Sequence, residues 1–157
     1  LRLDGAWMVE DMGSTRAPLI GPQTYRELLL PWHKKLGDYL RSRNLKFLVH
    51  SCGDIHTLLP GLIEAGVEVI QPLQANTTLH VAKLKEELGD KLCFWGNISV
   101  QALAGTREEI RREVLSKVVP AMKGGGYIYH SDHSVPPEVP YENYRYLMEL
   151  LGEYGVY

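Results

Sequence analysis

Residues 45–54 read LKFLVHSCGD. The apolar run 45–49 leads into His50-Ser51-Cys52 and breaks at Gly53-Asp54, the pattern of a strand that stops at a turn. Successive strand side chains point to opposite faces, so His50 and Cys52 share one. Imidazole and thiolate are regular zinc ligands. Two donors are half a site, and the remainder has to come from elsewhere in the chain.

Upstream, Ala6-Trp7-Met8-Val9 predicts a strand with Glu10 and Asp11 at its tip and a Gly13-Ser14-Thr15 loop behind it. Residues 21–43 predict a long helix. Pro22 suits its first turn, Tyr25, Leu28, Leu29, Trp32, Leu36, Tyr39 and Leu40 recur at helical spacing, and Pro31 is expected to kink or divide it. Downstream, Asp54 is positioned as an N-cap for a helix that buries Leu58, Leu59, Leu62 and Ile63 and stops at Gly66. Residues 67–71 predict a strand, and Thr78 the cap of a short helix. LCFWGN at 92–97 predicts another strand. Thr106 and Glu109 form a capping box before a helix that ends in Gly124-Gly125-Gly126. YIYHSDH at 127–133 predicts the last strand, and Tyr144, Leu147, Met148 and Leu151 the inner face of a closing helix.

Five strands alternating with helices, without hairpin signals, imply a parallel α/β sheet covered by helices. They are too few to close an eight-stranded barrel, which takes about 250 residues. An open sheet, or the C-terminal part of a (β/α)8 TIM-type barrel, fits the count. The 157 residues suffice for a single α/β domain, with 45% hydrophobic and 23% charged residues and a net charge of −2. That charge excludes a polyanion-binding surface as the obvious function, so no nucleic-acid partner is expected. No apolar run has the length of a membrane span and no signal-peptide pattern opens the chain. Two cysteines, Cys52 and Cys93, do not form a secreted disulfide framework, and a cytoplasmic location is expected. The chain opens on Leu1 rather than Met, as a piece of a longer polypeptide would.

In parallel α/β folds the active site lies at the C-terminal strand ends. The polar residues collect at those ends: Glu10 and Asp11, His50 and Cys52, Gln71 and Gln74, Asn97, then His130, Asp132 and His133. Asp132, Asp11 and Glu10 are candidates for proton handling or ligand orientation, and Gln71, Gln74 and Asn97 for substrate contact. If Ile128 packs against the helices, Tyr127, Tyr129, Ser131 and His133 face the site while His130 and Asp132 face away, unless a loop after Ser131 resets the alternation. Cys93 lies roughly 13 Å deeper than Asn97 at ~3.3 Å per residue and reads as a buried structural thiol. His33 and His56 fall on helices as surface groups.

An ordered set of short segments then resembles the C-terminal part of the uroporphyrinogen decarboxylase superfamily, which contains the decarboxylase of haem biosynthesis and the cobamide- or corrinoid-linked methyltransferases. The segments are Gly21-Pro22-x-x-Tyr25 with Pro31, HSCG at 50–53, EAGVEVIQPLQ at 64–74, GNI at 96–98, GTREEI at 105–110, GGGYI at 124–128 and DHSVPPEVPYEN at 132–143. The closing Gly-x-Tyr at 155–157 resembles the family's C-terminus. The resemblance implies a (β/α)8-type barrel of which this chain supplies roughly the second half. In the methyltransferase branch zinc is held by a His-x-Cys pair, matched by His50 and Cys52, and by a cysteine from the last strand's loop. Counted back from Pro140-x-x-Asn143, that third place falls at His133, a histidine in place of cysteine. In the decarboxylase branch a histidine at the same place faces the substrate cavity and binds no metal. That branch does not characteristically carry His-x-Cys-Gly at 50–53, and its tetrapyrrole-gripping aspartate belongs to the N-terminal half.

The function the resemblance implies is a zinc-dependent methyltransferase with a small-molecule substrate, a methyl-corrinoid or similar donor, and a corrinoid protein as partner. The alternatives are a metal-free uroporphyrinogen-type decarboxylase, a lyase, and a non-catalytic half-barrel that forms a homodimer or docks to the missing barrel half. In any of these the fragment alone is expected to be inactive.

Overall fold

Alternation along the strands decides which side chains the helices cover. The computed structural model describes residues 2–156; Leu1 and Tyr157, the last residue of the Gly-x-Tyr motif, lie outside the described residues. In order the elements are β1 (Gly5–Val9), α1 (Pro22–Thr24) running through a π-helical turn (Tyr25–Leu29) into α2 (Leu30–Ser42), and β2 (Lys46–His50). A single 3-10 turn (His56–Leu58) leads into α3 (Leu59–Glu64), followed by β3 (Val69–Gln71), α4 (Val81–Leu88) and β4 (Cys93–Trp95). Next come α5 (Val100–Ala104), α6 (Arg107–Glu113) with a second π-helical turn (Val114–Val118) into α7 (Val119–Met122), β5 (Tyr127–Ile128) and α8 (Tyr141–Tyr154).

All strand pairs are parallel and the sheet order is β1-β2-β3-β4-β5. Strands that follow one another in sequence are therefore neighbours in space, and each connection carries a helix back over the sheet. Met8, Val49, Ile70, Phe94 and Tyr127 share one register row. The last four are buried beneath the helices with Phe47, Leu58, Leu62, Leu84, Leu103 and Val114. The opposite face carries Trp7, Val9, Leu48, His50, Trp95 and Ile128. As expected for consecutive parallel strands, all five C-terminal ends lie along one rim.

Five sequence expectations are corrected. Ile128 is 43% exposed while Tyr127 is only 5% exposed, so Tyr127 meets the helices and Ile128 the open face. With β5 only two residues long, the strand does not carry the alternation on to residue 133. His130 instead packs edge-on against Trp95, with ring centroids 5.8 Å apart, which places it on the site side. Pro31 does not divide its helix: the missing N–H falls just after the π-helical turn and the helix continues. Thr78 is not a helix cap; His80 is the N-cap of α4, without a side-chain cap. His33 is buried rather than superficial, at 6% exposure. The Thr106–Glu109 capping box is present with both of its hydrogen bonds.

Polar residues at the rim hold the loops together. Asn97, at φ 77°, is fully buried. Its side chain donates to Leu73 O and Leu79 O, both at 2.7 Å, and accepts from Val81 N at 2.9 Å. Lys117, buried in the second π-helical turn, donates to Asn97 O at 2.8 Å and pairs with Glu113 at 2.7 Å. Removing the Asn97 amide strands three backbone groups out of reach of water. Asn97→Ala is expected to lower the unfolding free energy by about 3 kcal/mol, measured by urea denaturation at neutral pH; a loss of under about 1 kcal/mol would show that the loops do not rely on this residue.

Candidate metal centre

His50 ends β2 and Cys52 follows two residues later, so the shared face expected from alternation is realised. The two side chains meet, with His50 Nε2 3.6 Å from Cys52 Sγ. The third group comes from the neighbouring strand. Asp11 lies just past β1, with its Oδ1 3.4 Å from His50 Nε2. Ligand atoms of Asp11, His50 and Cys52 all lie within 4.8 Å of one another. A tetrahedral zinc with ordinary bond lengths keeps N and S about 3.6 Å apart and N and O about 3.4 Å apart. The donor set and its separations fit that ion.

Sequence explains why Asp11 reaches Cys52. Glycine stands where the two strand-tip loops cross: a Cβ on Gly53, which has φ +81°, would lie 2.2 Å from Gly13 C, and one on Gly13 would lie 2.8 Å from Asp54 N. Only glycine permits both the backbone angle and the approach. Across that contact Glu10 N donates to His50 O at 3.0 Å and Asp54 N to Ser14 O at 2.7 Å. Cys52 N donates to Asp11 Oδ1 at 2.8 Å, and Met12 N to Ser51 Oγ at 2.9 Å.

His50 is oriented from behind. Its Nδ1 contacts Gln71 Oε1. An amide oxygen only accepts, so this contact is a hydrogen bond in the Nδ1–H tautomer, which turns the Nε2 lone pair toward Asp11 and Cys52. Metal-ligating histidines commonly have such an outer hydrogen bond. Burial, followed by the carboxylates of Asp11 and Asp132, pushes the Cys52 thiol above its ordinary value. Converging lone pairs and a reluctant thiol are what a bound cation relieves, because coordination stabilises the thiolate.

The other rim residues are engaged differently. His133 is not in the three-donor group; its Nδ1 lies 3.4 Å from Asp132 Oδ1 and its side chain is 42% exposed. Asp132 is fully buried and accepts from Ala75 N and Val100 N, both at 3.0 Å. Gln74 accepts from Gly53 N at 2.8 Å and donates to Asn76 Oδ1 at 2.7 Å. Glu10 Oε2 lies 3.0 Å from His33 Nε2, whose Nδ1 is 3.0 Å from the Tyr25 hydroxyl. Sequence reading missed this network, because Tyr25 and His33 do not share a face of an unbroken α-helix. Below the centre, Trp7 stacks on Trp95 with centroids 5.5 Å apart, and its ring lies 6.1 Å from that of His50.

The family profile described as uroporphyrinogen decarboxylase (URO-D) matches residues 4–154. A uroporphyrinogen decarboxylase of Chlorobium phaeobacteroides is 26% identical over 145 residues, covering 89% of this chain and 40% of the relative. That of Trichodesmium erythraeum is 26% identical over 153 residues, covering 95% and 41%. The solved structure of a methyltransferase from Methanosarcina mazei has a TM-score of 0.71 at 22% identity and covers 98% of this chain and 43% of that one, a likeness of fold. The chain spans about two fifths of the length of the curated relatives it matches.

Asp54 braces the loop after Gly53, accepting from His56 N at 3.1 Å and Thr78 N at 2.9 Å. Burial pushes its carboxyl up, but hydrogen bonds from Thr78 and His56 outweigh burial and hold it below the ordinary value. A carboxyl with a lower pKa folded than unfolded contributes stability above the unfolded value, near about 3.9, and loses it as pH falls toward the folded value. Asp54→Asn is therefore expected to flatten the acid limb of the stability curve, read from urea midpoints between about pH 6 and about pH 2.5. Parallel acid limbs in the two proteins would contradict this.

Proposed function

The chain belongs to the uroporphyrinogen decarboxylase family, and from that premise we propose that it carries the metal centre of a zinc-dependent methyltransferase. The observation that carries the reading is the three-donor cluster of Asp11, His50 and Cys52, whose spacing suits tetrahedral zinc. In this reading residues 1–157 are a single α/β domain, the C-terminal half of a (β/α)8 barrel. The substrate is a small molecule, and the methyl donor is a methyl-corrinoid delivered by a corrinoid protein.

A zinc ion bound here supplies Lewis acidity that lowers the pKa of an acceptor thiol. The chain's own residues do the rest. His50 and Cys52 would hold the ion from one strand tip and Asp11 from the next. Three protein donors are the number found at catalytic rather than structural zinc sites, where they would leave room for a substrate. Gln71 fixes the tautomer of His50 and thereby the direction of its lone pair. His133 is the alternative third donor. A metal-free decarboxylase is the second reading, favoured by the name of the relatives at 26% identity.

Metal analysis of the purified chain is expected to give one zinc per molecule, with His50→Ala and Cys52→Ala each losing it. Asp11→Ala is expected to weaken binding by about 10- to 100-fold and His133→Ala to leave it unchanged; the reverse result would assign His133 as the third donor. Metal-free protein from a chelator-free preparation would overturn the zinc reading. Conversion of uroporphyrinogen by the barrel containing this chain, without metal, would establish the second one.

A further inference from the structure

Tyr25, His33 and Glu10 form a hydrogen-bonded line from the helix layer to the tip of β1. Tyr25 is 1% exposed and His33 6%. The Tyr25 hydroxyl lies 3.0 Å from His33 Nδ1, and His33 Nε2 lies 3.0 Å from Glu10 Oε2. One tautomer satisfies both contacts: Nδ1 accepts from the phenol and Nε2–H donates to the carboxylate. Burial, then Glu10 and Glu64, raise the Tyr25 hydroxyl above the ordinary phenol range, so it stays a donor.

The helix departs from regularity where this line requires it. On an unbroken α-helix, residues eight apart are about 80° out of line. The π-helical turn at Tyr25–Leu29 absorbs one extra residue, so Tyr25 and His33 behave as a pair seven apart, about 20° out of line. Tyr25 then reaches His33, and His33 reaches Glu10. Glu10 and Asp11 are consecutive, and their side chains part, Glu10 going to His33 and Asp11 to His50. Glu10 is fastened to the helix layer, and Asp11 faces His50 and Cys52. The Glu10 backbone is in turn fastened to His50 O at 3.0 Å.

We propose that Tyr25 and His33 are positioning residues for the metal centre: by pinning the Glu10 carboxylate they fix the rotation of the β1 tip and hold the Asp11 carboxylate where it meets His50 and Cys52. This rests on the metal-centre reading above. Because the line acts through Glu10, its effect requires that side chain and is not additive with its removal.

The test is titration of the metal-free chain with Co2+, read by thiolate-to-cobalt absorption. His33→Phe, which keeps a ring but loses both contacts, is expected to weaken Co2+ binding about tenfold and to change the absorption envelope as the carboxylate moves. Tyr25→Phe, which removes a single hydroxyl, is expected to do the same to a smaller degree and serves if His33→Phe does not fold. Glu10→Gln, which keeps an oxygen for His33, should retain most of the affinity. In a Glu10→Ala background His33→Phe should have no further effect. Leu40→Ala, a cavity in the same helix, is the control for destabilisation alone, and its folded form should bind Co2+ as the wild type does. Equal weakening by Leu40→Ala, or unchanged affinity and spectrum in the folded His33→Phe or Tyr25→Phe protein, would overturn the proposal. A wild-type chain without cobalt–thiolate absorption would instead overturn the metal-centre reading itself.

Discussion

The candidate site depends on two loops crossing at a pair of glycines. Gly13 and Gly53 approach so closely that a Cβ on either would strike backbone. This contact brings the segment after β1 onto the segment after β2; Asp11 and Cys52 lie on these two segments and His50 ends β2. Adjacent parallel strands are separated by about 4.8 Å, so side chains leaving neighbouring tips toward the same side naturally arrive within a ligand–ligand distance. What strand pairing does not supply is the height of Asp11 above the sheet. The crossing supplies it, with Cys52 N donating to the Asp11 carboxylate at 2.8 Å. The same carboxylate thus serves as a loop staple and as a candidate ligand.

The rim also shows why a concentration of polar side chains is an ambiguous signal. Parallel strands end in loops whose backbone groups have no sheet partner, and each buried one needs a donor or acceptor. Asn97, Asp132, Gln74 and Asp54 meet that need with bonds of 2.7–3.1 Å to backbone groups. The catalytic ends of an α/β sheet therefore gather two populations of polar residues, one bracing loops and one facing ligand. Gln71 belongs with the site, because its amide oxygen meets a ring nitrogen of His50. Asn97 belongs with the fold, because its side chain bonds the backbone of Leu73, Leu79 and Val81.

The features legible in the sequence are those set by local period. The strand positions, the shared face of His50 and Cys52 and the Thr106 capping box follow from alternation and from spacings of two or three residues, and the structure holds them. Asp11 was legible only as a carboxylate at a strand tip, since its approach to Cys52 depends on pairing between segments 41 residues apart. His33 was misread because a π-helical turn shifts the helical register by one residue, and nothing in the spacing announces it. The facing of Tyr127 and Ile128 was misread for another reason. A strand of two residues is too short to reveal a preferred face, and the face is decided by where α8 and the turns around α7 settle.

The candidate donor cluster and the exposed apolar sheet face are separate features of this chain. The three donors, the Gln71 contact and the Glu10–His33–Tyr25 line all fall within β1 to β3 and α2, so the centre is assembled by local pairing and one helix. The surface a substrate would touch is organised differently. Trp7, Val9 and Ile128 stand exposed on the face opposite the helices, at 51%, 68% and 43%, and the stacked Trp7–Trp95 pair runs from His50 toward His130. Large apolar groups on an open sheet face gain stabilisation only when something covers them. The arrangement of the three candidate donors is thus set within β1, β2 and the segments that follow them, whereas the exposed tryptophan face is left for another surface to cover.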